Sequence, residues 1–225
     1  MSIDPADVAA NLDRVRQQIA DAGGDPERVA VLAVTKGFGP DAPRAALDAG
    51  LVALGENYAQ ELEGKAAAVT GPEWHFIGRL QSNKVKVVAD VVSCWQSVDR
   101  ASIVRELAKR AAGGRVFVQV NATGEEQKGG CPPNEVADLV QQARESGLEV
   151  AGLMTVGVDG DDRATRAAFE QVRGLVDDLG LLEASMGMTA DLALAVGSGS
   201  TMVRIGRALF GPRPHTRDTA MVVRD

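Results

Sequence analysis

The chain has 225 residues, of which 45% are apolar and 24% charged. This is an ordinary globular composition at a length that fits one (β/α)8 barrel of roughly 200 to 250 residues. A formal charge of −7 argues against nucleic acid as a partner, because phosphate binding requires concentrated positive charge. No apolar stretch approaches the ~18 residues of a membrane helix and no signal-like segment opens the chain, so we expect a cytoplasmic protein without a membrane partner.

In chain order, the first element is an amphipathic helix predicted over residues 5–22, with Val8, Leu12, Val15 and Ile19 on one face. Short β-branched runs then alternate with longer amphipathic stretches. The predicted strands are 29–35, 51–54, 74–77, 91–94, 115–120, 150–154, 183–186 and 201–205. The predicted helices that follow them are 41–49, 57–69, 80–89, 99–112, 133–146, 163–179 and 189–196.

Eight strands alternating with helices predict an α/β fold, a single (β/α)8 TIM barrel with one extra N-terminal helix. An open, doubly wound sheet is the competing architecture. No boundary rich in Pro, Gly or Ser divides the chain, so we expect one domain over residues 1–225, with residues 212–225 as a loose tail.

Lys36 is the most informative residue, since it ends the apolar run that contains the first predicted strand. A buried ammonium group is costly unless it is paired or used chemically. Lysine can lose its proton and attack a carbonyl carbon. We therefore expect a carbonyl compound to bind at Lys36.

A phosphate site is expected where the last two strands end. Barrels often bind phosphate with the loops that follow strands seven and eight. Ser185 ends the seventh predicted strand, and Gly206 with Arg207 follows the eighth. The stretch 197–201 is neither a Walker loop nor a dinucleotide fingerprint, and by itself it is typical of a turn.

Other polar residues at strand ends have structural alternatives. Arg204 lies in an apolar strand, where it requires a partner, and a structural carboxylate is one candidate. His75 could be a hydrogen-bonded core residue, and Asn57 could cap the helix that follows it. Cys94 and Cys131 lack metal-ligand spacing, so we expect neither a metal site nor a disulfide framework.

Several segments together resemble the pyridoxal phosphate homeostasis proteins, the YggS/PROSC-like group. They match in order and spacing from about residue 8 to residue 211. The segments are Val34-Thr35-Lys36, Gly55-Glu56-Asn57-Tyr58, HFIGRLQSNK (75–84), SVDR (97–100), SMGMTAD (185–191) and GSTMVRIG (199–206).

The resemblance implies a barrel like the N-terminal domain of alanine racemase, with pyridoxal 5′-phosphate (PLP) bound to Lys36 as a Schiff base. It implies that Arg204 faces the pyridine nitrogen. It also implies that Ser185, Gly206 and Arg207 hold the phosphate, with Ser200 and Thr201 near that loop. Asn57, His75 and Met154 match positions that line the pocket.

Arginine opposite the ring nitrogen favours an unprotonated ring, which is a weak electron sink. Alanine racemase also uses a second domain and a tyrosine base, and Tyr58 is the only tyrosine here. We therefore expect a monomeric cofactor carrier with little or no catalysis, whose partners are PLP and apo-forms of PLP enzymes. A single-domain amino-acid racemase is the alternative, and a Schiff-base enzyme acting on a phosphosugar is a third hypothesis.

Overall fold

The computed structural model describes residues 3–213, and its eight strands form a closed parallel barrel in sequence order. The first strand pairs with both the second and the eighth, for example Leu32 with Arg204. The strands are β1 (Ala30–Val34), β2 (Ala53–Glu56), β3 (Glu73–Phe76), β4 (Val92–Val98), β5 (Arg115–Gln119), β6 (Glu149–Met154), β7 (Glu183–Ser185) and β8 (Met202–Ile205). The predicted TIM barrel is confirmed, and the open sheet is wrong.

The helices lie outside the barrel and alternate with the strands. They are α1 (Pro5–Asp21), α2 (Asp41–Asp48), α3 (Ala59–Ala68), α4 (Ser82–Val88), α5 (Ala101–Arg110), α6 (Val136–Glu145), α7 (Asp162–Asp178), α8 (Leu192–Gly197) and α9 (Arg207–Phe210). Two short 3-10 helices, Glu126–Lys128 and Pro133–Glu135, follow β5. No described helix has the length and apolar character required to cross a bilayer.

The extra N-terminal helix is present where the sequence predicts it. The Asp4 side chain caps it by accepting a hydrogen bond from the N–H of Ala6, and Pro5 occupies its first position. Its four predicted core residues, Val8, Leu12, Val15 and Ile19, are all buried. The helix contacts α2, α8 and α9, so it fills the outer layer beside the point where the barrel closes.

The predicted strand boundaries agree with the structure to within one residue except in β2 and β4, which differ by two or more residues. β2 starts two residues later than predicted because Leu51 belongs to the end of α2, where its N–H donates to Ala46 O and Gly50 has a φ of +82°. β4 continues to Val98, four residues beyond the prediction. The polar residues Gln96 and Ser97 do not look like part of a buried strand in the sequence, but both are buried within it.

The barrel interior contains a small apolar cluster with polar residues beside it. Five buried side chains from five strands form the cluster: Leu32, Cys94, Phe117, Met154 and Met202. The larger core lies between the strands and the helices. Residues 214–225, which contain most of the segment predicted as a tail, lie outside the described residues.

Candidate functional site

Lys36 lies at the carboxyl end of the barrel, two residues after β1, and is half-buried. Lys65 on α3 has three acceptors for its ammonium group, namely Glu56 Oε1 at 2.5 Å, Thr35 O at 2.8 Å and Glu61 Oε2 at 3.4 Å. Within residues 3–213, the lysines that form ion pairs do not include Lys36. The ammonium group of Lys65 is therefore engaged by these three acceptors, whereas the amine of Lys36 is available to a ligand.

The surroundings of Lys36 favour the neutral amine. Burial lowers the pKa of Lys36 below its ordinary value, and the positive charges of Arg213 and Arg204 lower it further. The carboxylates of Glu56 and Glu61 oppose this shift. A larger fraction of Lys36 is therefore unprotonated at neutral pH than for an exposed lysine, as a nucleophile requires.

Arg204 on β8 is a buried cation that forms no ion pair with a carboxylate in the described part of the chain. One terminal nitrogen, Nη1, donates to Ser185 O at 2.6 Å and to Ser185 Oγ at 3.0 Å, and Nη2 donates to Thr155 O at 2.7 Å. These bonds use three of the five N–H donors of the guanidinium group. Burial lowers the pKa of Arg204 to about 10, and the negative charge of Asp191 opposes the shift.

A chain of buried hydrogen bonds connects Arg204 to the opposite wall of the barrel. Ser185 Oγ donates to Gln96 Oε1 at 2.7 Å, and Gln96 Nε2 donates to His75 Nδ1 at 2.7 Å. His75 Nδ1 is therefore an acceptor, which places the ring proton on Nε2. Burial, together with the charge of Arg115, lowers the pKa of His75 to about 4, so the ring is neutral. We call His75, Gln96, Ser185 and Arg204 the interior polar chain.

Gln96 was not predicted as a site residue, although the sequence contains a signal for it. A glutamine within the run Cys94-Trp95-Gln96-Ser97-Val98 is unusual for a buried strand. The predicted strand stopped at residue 94, which placed Gln96 outside the barrel. Extending the strand by its apolar residues Trp95 and Val98 would have placed Gln96 inside.

Glycines at the ends of β7 and β8 let the backbone come close to its surroundings. Gly187 has a φ of +90°, and a Cβ there would lie 2.4 Å from the Cβ of Ala195. A Cβ on Gly206 would lie 3.2 Å from Val34 O. Gly206 precedes α9, whose first N–H groups have no acceptor within the helix. Arg207 begins α9 and is exposed.

Asn57 and Met154 also lie where strands end. Asn57 directly follows β2, and its Oδ1 atom is buried without a hydrogen-bond partner among the described residues. The position that precedes α3 is occupied by Tyr58, and no side chain caps that helix. The structure therefore does not use Asn57 as a cap. Met154 is the last residue of β6 and belongs to the interior apolar cluster.

Ser200 and Thr201 are not brought to this end of the barrel. They precede β8, whereas Gly206 follows it, so they lie at the strand's opposite, amino end. Ser200 Oγ lies within hydrogen-bonding distance of three backbone carbonyls, those of Ala184, Met186 and Met202. Thr201 Oγ1 accepts from the N–H of Ala184. The sequence expectation that these residues lie near the phosphate loop does not agree with this placement, because strand β8 separates them from that loop.

Comparison with known proteins identifies the family. A family model described as "Alanine racemase, N-terminal domain" matches residues 3–214. A Pseudomonas aeruginosa protein named pyridoxal phosphate homeostasis protein is 40% identical over 96% of this chain and 98% of its own length. The chain belongs to the pyridoxal phosphate homeostasis protein family. The resemblance found in the sequence motifs is thereby confirmed.

Solved structures agree with this family and fold. PipY of Synechococcus elongatus PCC7942, solved with PLP bound, is 28% identical to this chain, with a TM-score of 0.73. The match covers 88% of this chain and 100% of PipY. Alanine racemase from Corynebacterium glutamicum is 17% identical with a TM-score of 0.75, over 94% of this chain and 62% of the racemase. The second likeness shows the barrel fold alone.

Proposed function

We propose that this chain binds pyridoxal 5′-phosphate through Lys36 and serves as an intracellular carrier that buffers and hands over the cofactor. The observation that carries the proposal is the amine of Lys36 at the carboxyl end of β1, which forms no ion pair within residues 3–213 and lies close to the charge of Arg204 on the adjacent strand β8. The names of the P. aeruginosa relative and of the PLP-bound PipY structure support the same cofactor.

The residues present fit an aromatic aldehyde that carries a phosphate. The neutral amine of Lys36 is the nucleophile towards the aldehyde carbon, and formation of the C=N bond releases the carbonyl oxygen as water. Among the described residues, two of the five N–H donors of Arg204 have no acceptor, and such a donor would suit a ring nitrogen as acceptor. The cofactor, when bound, supplies an electron-withdrawing ring.

The phosphate fits the ends of β7 and β8. Backbone N–H groups at Gly187, Gly206 and the start of α9 would hold it, and the side chain of Arg207 would add positive charge. Ser185 already donates to Gln96 and accepts from Arg204, so we assign it to orienting Arg204 rather than to the phosphate. Asn57, with its unpartnered Oδ1, would line the pocket beside Lys36.

A carrier role follows from what surrounds the proposed ring. Arg204 offers only donors and a permanent charge, so it cannot hold a proton on the ring nitrogen as a carboxylate would. His75 is neutral and already bonded to Gln96, so it does not supply an acid. These features disfavour proton exchange at the α-carbon of an amino acid and favour storage of the cofactor, with apo-enzymes as recipients.

The decisive experiment is the visible spectrum of the protein incubated with PLP, before and after borohydride, followed by peptide mapping. We expect a yellow band that borohydride abolishes, a label on Lys36, and neither in Lys36→Ala. A protein that stays colourless and unlabelled would refute the proposal. Transfer of bound PLP to an apo-enzyme supports the carrier, whereas α-deuterium exchange into alanine above the free-cofactor background would support the racemase.

A further inference from the structure

The two residues that flank Lys36 are both held by one group of charged side chains. We call Glu56, at the end of β2, and Glu61 and Lys65 on α3 the α3 charge cluster. The cluster makes two hydrogen bonds with Thr35, the residue before Lys36. Thr35 Oγ1 donates to Glu56 Oε1 at 2.6 Å, and Lys65 Nζ donates to Thr35 O at 2.8 Å.

The contact on the other side of Lys36 is made by the same helix. The N–H of Gly37 donates to Glu61 Oε2 at 2.9 Å. Gly37 has a φ of +76°, so the chain turns sharply here, and the N–H of Phe38 closes the turn by donating to Thr35 O at 3.1 Å. Lys36 is thus the one residue between two peptides that the cluster holds.

The charges of the cluster require an explanation other than stability. Glu56 is fully buried and Lys65 nearly so, and burying an ion pair is often no better for stability than packing apolar side chains. Glu56 Oε2 has no hydrogen-bond partner among the described residues. An apolar pair could fill this space, but it could not hold the Thr35 carbonyl, the Thr35 hydroxyl and the Gly37 N–H.

We propose that the α3 charge cluster is a positioning device for Lys36, which fixes the direction in which its amine leaves the end of β1. This inference rests on the proposed function of Lys36 as the attachment point. It makes Glu56, Glu61 and Lys65 positioning residues, since their hydrogen bonds are to the residues on either side of Lys36 and not to the ligand.

Glu61 is the residue best suited to a test, because its side chain is partly exposed and its replacement leaves the buried Glu56–Lys65 pair in place. Glu61→Ala removes the acceptor for Gly37. Glu61→Gln keeps an oxygen acceptor but removes the charge. Glu106→Gln, which alters an ion pair with Arg110 on α5, is the matched control.

The first measurement requires no PLP. Lys36 is labelled by reductive methylation with formaldehyde and cyanoborohydride across a pH series, and the fraction labelled is read by peptide mass spectrometry. The charged groups that face Lys36, namely Arg204, Arg213 and Glu56, are common to both Glu61 variants. Any difference between the two variants therefore reports position alone.

We expect the pH midpoint of Lys36 labelling to lie at least about half a unit higher in Glu61→Ala than in Glu61→Gln, because a released Lys36 reaches solvent and regains its ordinary basicity. Amide exchange at Gly37 should be about tenfold faster in Glu61→Ala than in Glu61→Gln, and Glu106→Gln should match wild type. Coincident midpoints in the two Glu61 variants would overturn the inference.

Retention of PLP separates this inference from the proposed function. If the proposal holds, Glu61→Ala should retain PLP about three- to tenfold more weakly than Glu61→Gln. Equal retention in both variants would also overturn it. Failure of the wild-type protein to take up PLP would refute the proposed function, and the labelling midpoints would still decide whether the cluster positions Lys36.

Discussion

Acidification should destabilise this protein through His75, and the size of the effect follows from its buried place in the barrel. The pKa of His75 is lowered to about 4 from 6.5. Below pH 6.5 His75 becomes protonated in the unfolded chain, whereas in the folded protein it stays neutral until the pH falls to about 4. The neutral ring therefore contributes stability that is complete above pH 6.5 and is lost as the pH falls towards 4.

The magnitude follows from the two pKa values. At ~1.4 kcal/mol per unit, the free energy of unfolding should fall by about 2 kcal/mol between pH 7.5 and pH 5. At pH 4 the loss should reach about 3 kcal/mol. Carboxylates also titrate in this range, so the effect of His75 must be isolated as a difference between two proteins.

The assay is urea denaturation of wild type and His75→Gln at half-unit steps from pH 7.5 to pH 4. Glutamine does not titrate, and its amide can still meet Gln96. Between pH 7.5 and pH 5, the unfolding free energy of wild type should fall by about 2 kcal/mol more than that of the variant. A pH-independent difference would refute a neutral, buried His75 and the hydrogen-bond direction drawn for the interior polar chain.

Three further substitutions test other parts of the site. Arg204→Met should abolish PLP binding yet change the unfolding free energy by less than about 2 kcal/mol, because removing a buried charge offsets the lost hydrogen bonds. A larger loss of unfolding free energy in urea denaturation would contradict this. Gly187→Ala should cost about 2 to 4 kcal/mol by the same assay, since its Cβ would overlap that of Ala195 at a positive φ. Ser200→Ala should lower the free energy of unfolding by about 1 kcal/mol without changing the affinity for PLP. An affinity about tenfold weaker would indicate that Ser200 contacts the phosphate after all.

Most of the fold was predictable because its strands are short apolar runs between amphipathic helices. The largest errors arose where polar side chains are buried. Glu56 fell beyond the predicted end of the second strand at residue 54, and Gln96 fell beyond the predicted end of the fourth strand at residue 94. The partners of such side chains come from distant parts of the chain, so no local pattern contains them.

The site was predictable only to the extent that strand ends could be located. Lys36 and Arg204 stand out as charges in apolar runs, and Gly206 follows from the position of β8. Ser200 and Thr201 were misplaced because a glycine-rich stretch near a phosphate site suggests a phosphate loop, although their position before the strand assigns them to the other end of the barrel.

The pairing of β1 with β8 joins the first and last strands of the barrel, and it places the strand end that precedes Lys36 next to the strand that carries Arg204 and precedes Gly206. A partly folded chain that lacks β8 does not contain this arrangement. A growing polypeptide on the ribosome could therefore bind the cofactor only after about residue 206 had been synthesised and the seam had closed. A ligand bound across the seam would hold the first and last strands of the barrel together, so loading with PLP would slow their separation.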